Sequence, residues 1–262
     1  MHIIIDISRS AQENANGYFE KSKKARKKIA GAVESIKELE KKLRERKETV
    51  KKETERSRIR EITEKEWYER FRWFFASDGS LAIGGRDARQ NEILVGRHFE
   101  DSDLFFHADV FGASVVILKG GAGKDRRIKE EAAQFAACHS RAWEQSASAT
   151  VYSLARNSVS KSTQKGSLST GSFLLSGERE WFKDVRLELC AFIKEGVGAG
   201  TKKLNIAPKT TCERLGISSV LITPGNVKKS DAAKFISKIL EYKNIDEIMQ
   251  ALPAGTFTVK KG

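Results

Sequence analysis

The sequence predicts an α+β fold, with mixed α/β character: an N-terminal long helix or helical coiled-coil hairpin, then one globular mixed-sheet domain with flanking helices. Three observations predict it. An apolar heptad runs through a basic N-terminal segment. Strand-like and amphipathic helical runs then alternate without a regular βαβ rhythm, which disfavours a doubly wound sheet. No internal repeat imposes another architecture.

The elements follow in order. Ala15, Ser22, Ile29, Ile36, Leu43 and Val50 recur every seventh residue, and Ala11, Tyr18, Ala25, Ala32 and Leu39 fill the second apolar position. The register weakens after Val50, so the segment reads either as one helix to about Trp67 or as a hairpin turning near Lys47 to Thr54. The wet seam of a lone amphipathic helix favours the hairpin. Residues 1–65 are thus expected to form a basic coiled-coil arm, and 66–262 a globular domain with a C-terminal strand-helix extension from about 200. FRWFFAS and SLAIGG read as strands joined by Ser77-Asp78-Gly79. Arg86 to His98 reads as a helix, LFFHAD and SVVILKG as strands, and Gly120 to Lys124 as a flexible loop. Arg127 to Ala147 reads as one helix with an apolar face of Ile128, Ala132, Phe135, His139, Ala142 and Trp143. TVYSLA, GSFLLSG, VRLELCAFI and SSVLITPGN are further strands, Asp231 to Tyr242 is an amphipathic helix, and a short helix with FTVKK closes the chain.

Composition bounds the function. The net charge is +13, and between Glu20 and Arg60 stand 17 Lys plus Arg against 8 Glu, an excess of nine. That field favours polyanionic partners, nucleic acid above all, with binding that weakens steeply as salt rises. No run of about 18 apolar residues is present, so no membrane span is expected. The start MHIIIDISRS lacks the features of a signal peptide. Cys138, Cys190 and Cys212 form no CxxC pair and read as reduced thiols in a cytoplasmic protein.

Four motifs carry candidate chemistry. Gly84-Gly85-Arg86-Asp87 leads from a strand into a helix, with Asp87 at the N-cap and Gln90 at capping-box spacing. Free amides there would attract a phosphate, Gly85 would admit a ligand without a Cβ in the way, and Arg86 would clamp it. The alternative is a tight turn in which Arg86 pairs with Asp87 or Glu92. His107 and Asp109 flank Ala108 on one strand face and suit either acid–base work or a hydrogen-bonded structural or RNA-contacting pair, the reading preferred here. His139 reads as a packed core histidine, and no set of residues at metal-ligand spacing appears. Gly120 to Lys124 fails the P-loop pattern, since Asp125 follows the lysine. Ser158, Lys161, Ser162, Thr163, Lys165, Ser167, Ser169 and Thr170 form a hydroxyl-and-lysine loop that suits sugar-phosphate contact or serves as a solvated connection.

Together these residues resemble the C-terminal half of the NFACT family (RqcH, NEMF, Caliban) in an archaeal-like form. The carrying motifs are SAQENANGYFEKSKKARKKI, WYERFRWFFASDGSLAIGGRDARQNE, HADVFGAS, HSRAW, VSK with STGSFLLSGEREW, PGNVKK and LPAGTF. The globular part is similar to the family's NFACT-R domain, preceded by its coiled-coil middle region. The resemblance implies a part in ribosome-associated quality control, with RNA (tRNA or large-subunit rRNA) and the large ribosomal subunit as partners. It implies a polar RNA-binding ledge of Arg86, Asp87, Asn91, Glu92, His107, Asp109 and Ser114, joined by Lys161 and Ser172. The family's NFACT-N half and its tRNA-directed Asp-Arg pair lie outside this sequence, and the loop VSKSTQKGSLSTGSF lacks the family's Pro, Glu and Tyr.

The leading expectation is a non-enzymatic RNA-binding module without cofactor or metal. A second is an adaptor whose coiled coil pairs with an NFACT-N half or another helical protein. A third is an RNA- or aminoacyl-tRNA-processing enzyme using His107 and Asp109.

Overall fold

A computed structural model describes residues 4–61, 66–163, 166–195 and 202–261. The chain divides into two compact units, Met1–Lys65 and Glu66–Gly262.

The first unit is one helix, α1 (Ala11–Glu61). It opens on a reciprocal cap: Ser10 Oγ accepts from the Glu13 N–H at 3.3 Å, and Glu13 Oε2 accepts from the Ser10 N–H at 2.8 Å. The helix runs unbroken through Lys47 to Thr54, so the favoured hairpin does not form. The segment holds no Gly or Pro from Ala32 onward, and its Lys, Arg, Glu and Leu are strong helix formers, so nothing local specifies a turn. The heptad residues Tyr18, Ile29, Ile36, Leu39 and Leu43 are exposed.

In the second unit, β1 (Arg72–Phe75), β2 (Leu81–Gly84), β3 (Leu104–Ala108), β4 (Val115–Leu118), β5 (Ser148–Ala155) and β10 (Glu180–Arg186) form one sheet in the order β1-β2-β4-β3-β5-β10. Every neighbouring pair is antiparallel. Short ribbons β6 (Val159–Ser160) with β9 (Leu174–Leu175), and β7 (Ser162–Thr163) with β8 (Gly166–Ser167), fill the connection from β5 to β10. The second sheet, β12 (Lys202–Pro208), β11 (Leu189–Glu195), β13 (Val220–Lys228) and β14 (Thr256–Lys261), is also antiparallel.

Strand alternation sends successive side chains to two different cores. Phe105, Ile117, Ile83, Tyr152 and Leu154 face α2 (Ala88–Arg97) through Leu94 and Val95. Phe74, Phe106, Val116 and Phe182 face α3 (Arg126–Cys138), whose Phe135 lies 4.7 Å from Phe74 between ring centres. The core on the α3 side continues into the second sheet through Leu189, Ala191, Leu204 and Phe257, and into α6 (Lys229–Leu240) and α7 (Ile245–Ala251) through Ile236 and Ile248. Each fully buried Phe or Leu contributes about 1.5–3 kcal/mol.

Two elements differ from expectation. The helix expected over Arg127 to Ala147 breaks after Cys138 and resumes as α4 (Ala142–Gln145). There the Ser140 hydroxyl donates to Ala137 O at 2.7 Å and accepts from the Ala142 N–H at 3.2 Å, replacing helix bonds with side-chain ones. VRLELCAFI is divided between β10 and β11, which belong to different sheets. At the join, the Leu187 N–H turns to Ala147 O and Glu188 O accepts from Lys209 N–H.

The Gly120 to Lys124 segment is an ordered turn: Gly121 is buried against Leu104, and Lys124 pairs with Asp78 at 2.8 Å. The three cysteines are buried and free, yet Cys190 and Cys212, far apart in sequence, are joined by a thiol hydrogen bond. Short helix α5 (Lys209–Leu215) brings them together.

Candidate nucleic-acid interface

The turn from β2 into α2 is built by its own side chains. Asp87, in extended backbone, caps α2 by accepting from the Gln90 N–H at 2.8 Å, and Gln90 Oε1 accepts from the Arg86 N–H at 3.1 Å. These contacts use donors that the sequence reading assigned to an anion. Gly85 also differs from expectation. A Cβ there would fall 2.0 Å from Asn91 Oδ1, so the space belongs to Asn91 and not to a ligand. Buried Asn91 in turn accepts from the Val115 N–H at 3.3 Å, tying α2 to β4.

Arg86 pairs with neither Asp87 nor Glu92. Its guanidinium donates to Phe71 O at 3.2 Å and to Gln250 Oε1 at 3.3 Å, turning towards α7. Arg72, unremarked in the sequence, donates to Gly85 O at 2.9 Å and to Ser114 Oγ at 3.1 Å. Burial, then the neighbouring Arg86 charge, push the Arg72 guanidinium down to about 10 against the pull of Asp87, and burial lowers Arg86 as well.

Glu92, Lys161 and Ser172 are brought together beside α2. Lys161 pairs with Glu92 at 3.4 Å and donates to the carbonyls of Ser169 at 2.7 Å and Ser172 at 3.5 Å. Gly171, at φ +77°, lies so near the first turn of α2 that an added Cβ would sit 2.6 Å from that of Ala88. Ser169 and Thr170 are exposed. Lys165 lies outside the described residues, as do the side chains of Ser162, Thr163 and Ser167.

His107 and Asp109 are not a hydrogen-bonded pair among the described residues. The imidazole bonds to the backbone of Ala108 and Ala113 and lies 3.4 Å from the Tyr152 hydroxyl, while the Asp109 side chain is exposed beyond the end of β3. Burial holds His107 below its ordinary value; Asp109 acts only as a nearby charge in the other sense.

His107 instead belongs to a row. Strand register sets Val115 opposite His107, His107 opposite Tyr152, and Tyr152 opposite Trp181, while Gly85 bonds to Val115 at the other end. Facing residues on adjacent strands share a sheet face, so the row is one strip across four strands, with Gly85 just past the end of β2 beside it. The His107 and Tyr152 rings are 5.8 Å apart and the Tyr152 and Trp181 rings 5.4 Å apart. Exposed Arg179 lies over Tyr152 at 4.6 Å and over Trp181 at 5.7 Å. Trp181 is 38% exposed. Tyr152 is buried and His107 half-buried, so the exposed end of the row, the Trp181 ring beside the Arg179 guanidinium, is the part suited to stacking an unpaired base. Tyr152, Arg179 and Trp181 were missed because only pairing register brings them together; the one local signal was an Arg two residues before a Trp.

Residues 70–177 match the family described as NFACT protein RNA binding domain. The chain is 34% identical over 204 residues to "Archaeal Rqc2 homolog aRqcH" of Methanocaldococcus jannaschii, covering 74% of this chain and 29% of that protein. It is 37% identical over 118 residues to "Ribosome quality control complex subunit NEMF" of Homo sapiens, covering 44% of this chain and 11% of that one. The chain therefore spans under a third of the length of these relatives. Among solved structures, the C-terminal part of the fibronectin/fibrinogen-binding protein from Streptococcus suis is similar at a TM-score of 0.39 and 22% identity, covering 44% of this chain and 45% of that one.

Proposed function

The chain belongs to the NFACT family, and on that premise we propose that it is a non-enzymatic RNA-binding module of cytoplasmic ribosome quality control, holding tRNA or large-subunit rRNA on the large ribosomal subunit. The observation that carries this reading is the strip His107–Tyr152–Trp181 under Arg179, which begins inside the matched RNA-binding domain. A base would stack at the exposed end of that row, on Trp181 beside Arg179, with the rim around Arg86, Lys161 and Ser172 supplying further polar contacts. The charge excess of α1 would add sequence-independent attachment to phosphates. The similarity to Rqc2- and NEMF-type ribosome quality control proteins supplies the quality-control setting. A binding rather than catalytic role is supported by His107, whose ring is held by backbone groups and not oriented by Asp109.

The test is retention of purified tRNA measured by fluorescence anisotropy across a salt series. Arg86→Ala with Lys161→Ala should weaken binding, and charge reversal along α1 should reduce the salt slope. tRNA that is ignored in dilute buffer would refute the reading. Crosslinking in lysate with sequencing of bound RNA should recover tRNA or rRNA; random messenger fragments would count against a ribosomal role. Loss of turnover without loss of affinity in His107→Ala would instead favour an enzyme.

A second reading rests on the exposed stripe Ile29, Val33, Ile36, Leu39 and Leu43 of α1, the feature of an adaptor that pairs with another helical protein. Co-purification of such a partner, lost when Ile29, Ile36 and Leu43 become polar, would favour it.

A further inference from the structure

Three cations of the second unit meet without an acidic partner. The side chain of Gln250 accepts from Arg86, and the carbonyl of Leu252, two residues on, accepts from Lys229 Nζ at 3.0 Å. The end of α7 thereby draws together Arg86 from the β2–α2 turn and Lys229 from the start of α6. Arg86 also reaches Phe71 O, next to Arg72 on β1. Among the described residues, no ion pair involves Arg72, Arg86 or Lys229. The carboxylate of Asp87, which is exposed, is felt by Arg72 without pairing with it.

The cluster is also short of acceptors. The Nε atoms of Arg72 and Arg86 are buried with no hydrogen-bond partner, and so are both ring nitrogens of His139. His139 is 6% exposed and edge-on to Phe135 at 4.5 Å, and the charges of Arg72, Lys229 and Arg86 all act on it. It reads from sequence as a packed histidine, but a packed histidine normally satisfies at least one nitrogen. Buried like charges are costly unless an opposite charge joins them. Arg86 and Lys229 are only half-buried, which leaves an approach from solvent.

We propose that Arg72, Arg86, Lys229 and His139 form a site for one phosphate group, and that its occupant is a backbone phosphate of bound RNA. Two guanidiniums, an ammonium and an imidazole arriving from separate elements suit a tetrahedral oxyanion better than a planar carboxylate. The choice of RNA as the source rests on the proposed function; the phosphate chemistry does not.

The experiment uses the full chain and inorganic phosphate. Thermal unfolding is followed in sodium phosphate and in sodium chloride at equal ionic strength and pH, with the His139 imidazole resonances observed by NMR. Phosphate is expected to raise the melting temperature saturably above chloride and to shift the His139 signals. Lys229→Met, which keeps the stem and removes the charge, should weaken phosphate at least tenfold; Arg86→Gln serves as a second variant should the first fail to fold. A short oligouridylate should displace the phosphate and produce the same dependence on Lys229. No stabilisation beyond chloride, or an effect that survives both variants, overturns the site. Phosphate binding that oligouridylate cannot displace keeps the site and overturns RNA as its occupant. Retention of tRNA with no phosphate effect overturns the site and leaves the RNA-binding reading intact.

Discussion

Gly85→Ala separates a structural glycine from one kept open for a ligand. The new Cβ would lie 2.0 Å from Asn91 Oδ1 and 2.9 Å from the Asn91 backbone nitrogen. Backbone cannot yield cheaply, so the Asn91 side chain must leave, and the buried Val115 N–H then loses its 3.3 Å acceptor. Overpacking costs about 1–3 kcal/mol, and an unsatisfied buried donor about as much again. A loss near 3 kcal/mol is therefore expected, or roughly 6–12 °C in melting temperature for a unit of this size. Urea unfolding followed by tryptophan fluorescence should show a lower midpoint with an unchanged slope. Asn91→Ala removes the 2.0 Å side-chain clash and leaves the 2.9 Å approach to the backbone nitrogen, so Gly85→Ala should cost less, but still a measurable amount, once Asn91→Ala is present, a departure from additivity. A Gly85→Ala protein that unfolds like wild type but no longer binds RNA would refute this account and return the space at Gly85 to a ligand.

Three further outcomes are expected. Asp103, fully buried, accepts from Lys119 Nζ at 2.6 Å and from the backbone N–H groups of Glu100 and Gly120 at 2.8 Å, so Asp103→Ala should destabilise by about 3–5 kcal/mol in urea unfolding. Burial and the surrounding cations hold His139 well below its ordinary 6.5, so the unfolded chain binds a proton that the folded chain refuses. The stability this contributes is complete above that value and falls as pH drops below it, by up to about 1.4 kcal/mol per pH unit; His139→Leu should flatten that limb between pH 7 and 5. Trp181→Ala should weaken single-stranded RNA by about 1–3 kcal/mol in anisotropy titrations while leaving the salt slope unchanged, as loss of stacking and not of phosphate contact requires.

Much of the fold was legible where the signal is local. Alternation in FRWFFAS and SLAIGG located the β1–β2 hairpin, and the Asp87–Gln90 spacing located the start of α2. The buried face of α3 and α4 was correct at Ile128, Ala132, Phe135, His139, Ala142 and Trp143 even though the helix is broken between them. What failed was set by distant partners. Nothing in VRLELCAFI shows that Val185 and Leu189 belong to different sheets, because that division is made by bonds to Ala147 and Lys209. The candidate ledge was legible as a set of polar residues at strand ends, yet the direction of Arg86 depends on Gln250, 164 residues away. Arg72 and Lys229 fall inside the motifs WYERFRWFF and PGNVKK, but nothing local distinguishes them from the other basic residues there; their meaning arises from sharing one neighbourhood without an ion-paired carboxylate among the described residues.

The core on the α3 side has a practical consequence for anyone trimming this protein. The matched domain stops at residue 177, short of β10 and of the whole second sheet. Phe182 of β10 covers Phe106 at 5.8 Å between ring centres, and Leu189, Ala191 and Phe257 complete the same apolar interior. Expression of the matched stretch alone would bare that interior and the unsheathed edge of β5, inviting aggregation. The minimal piece that keeps its interior dry ends at β14.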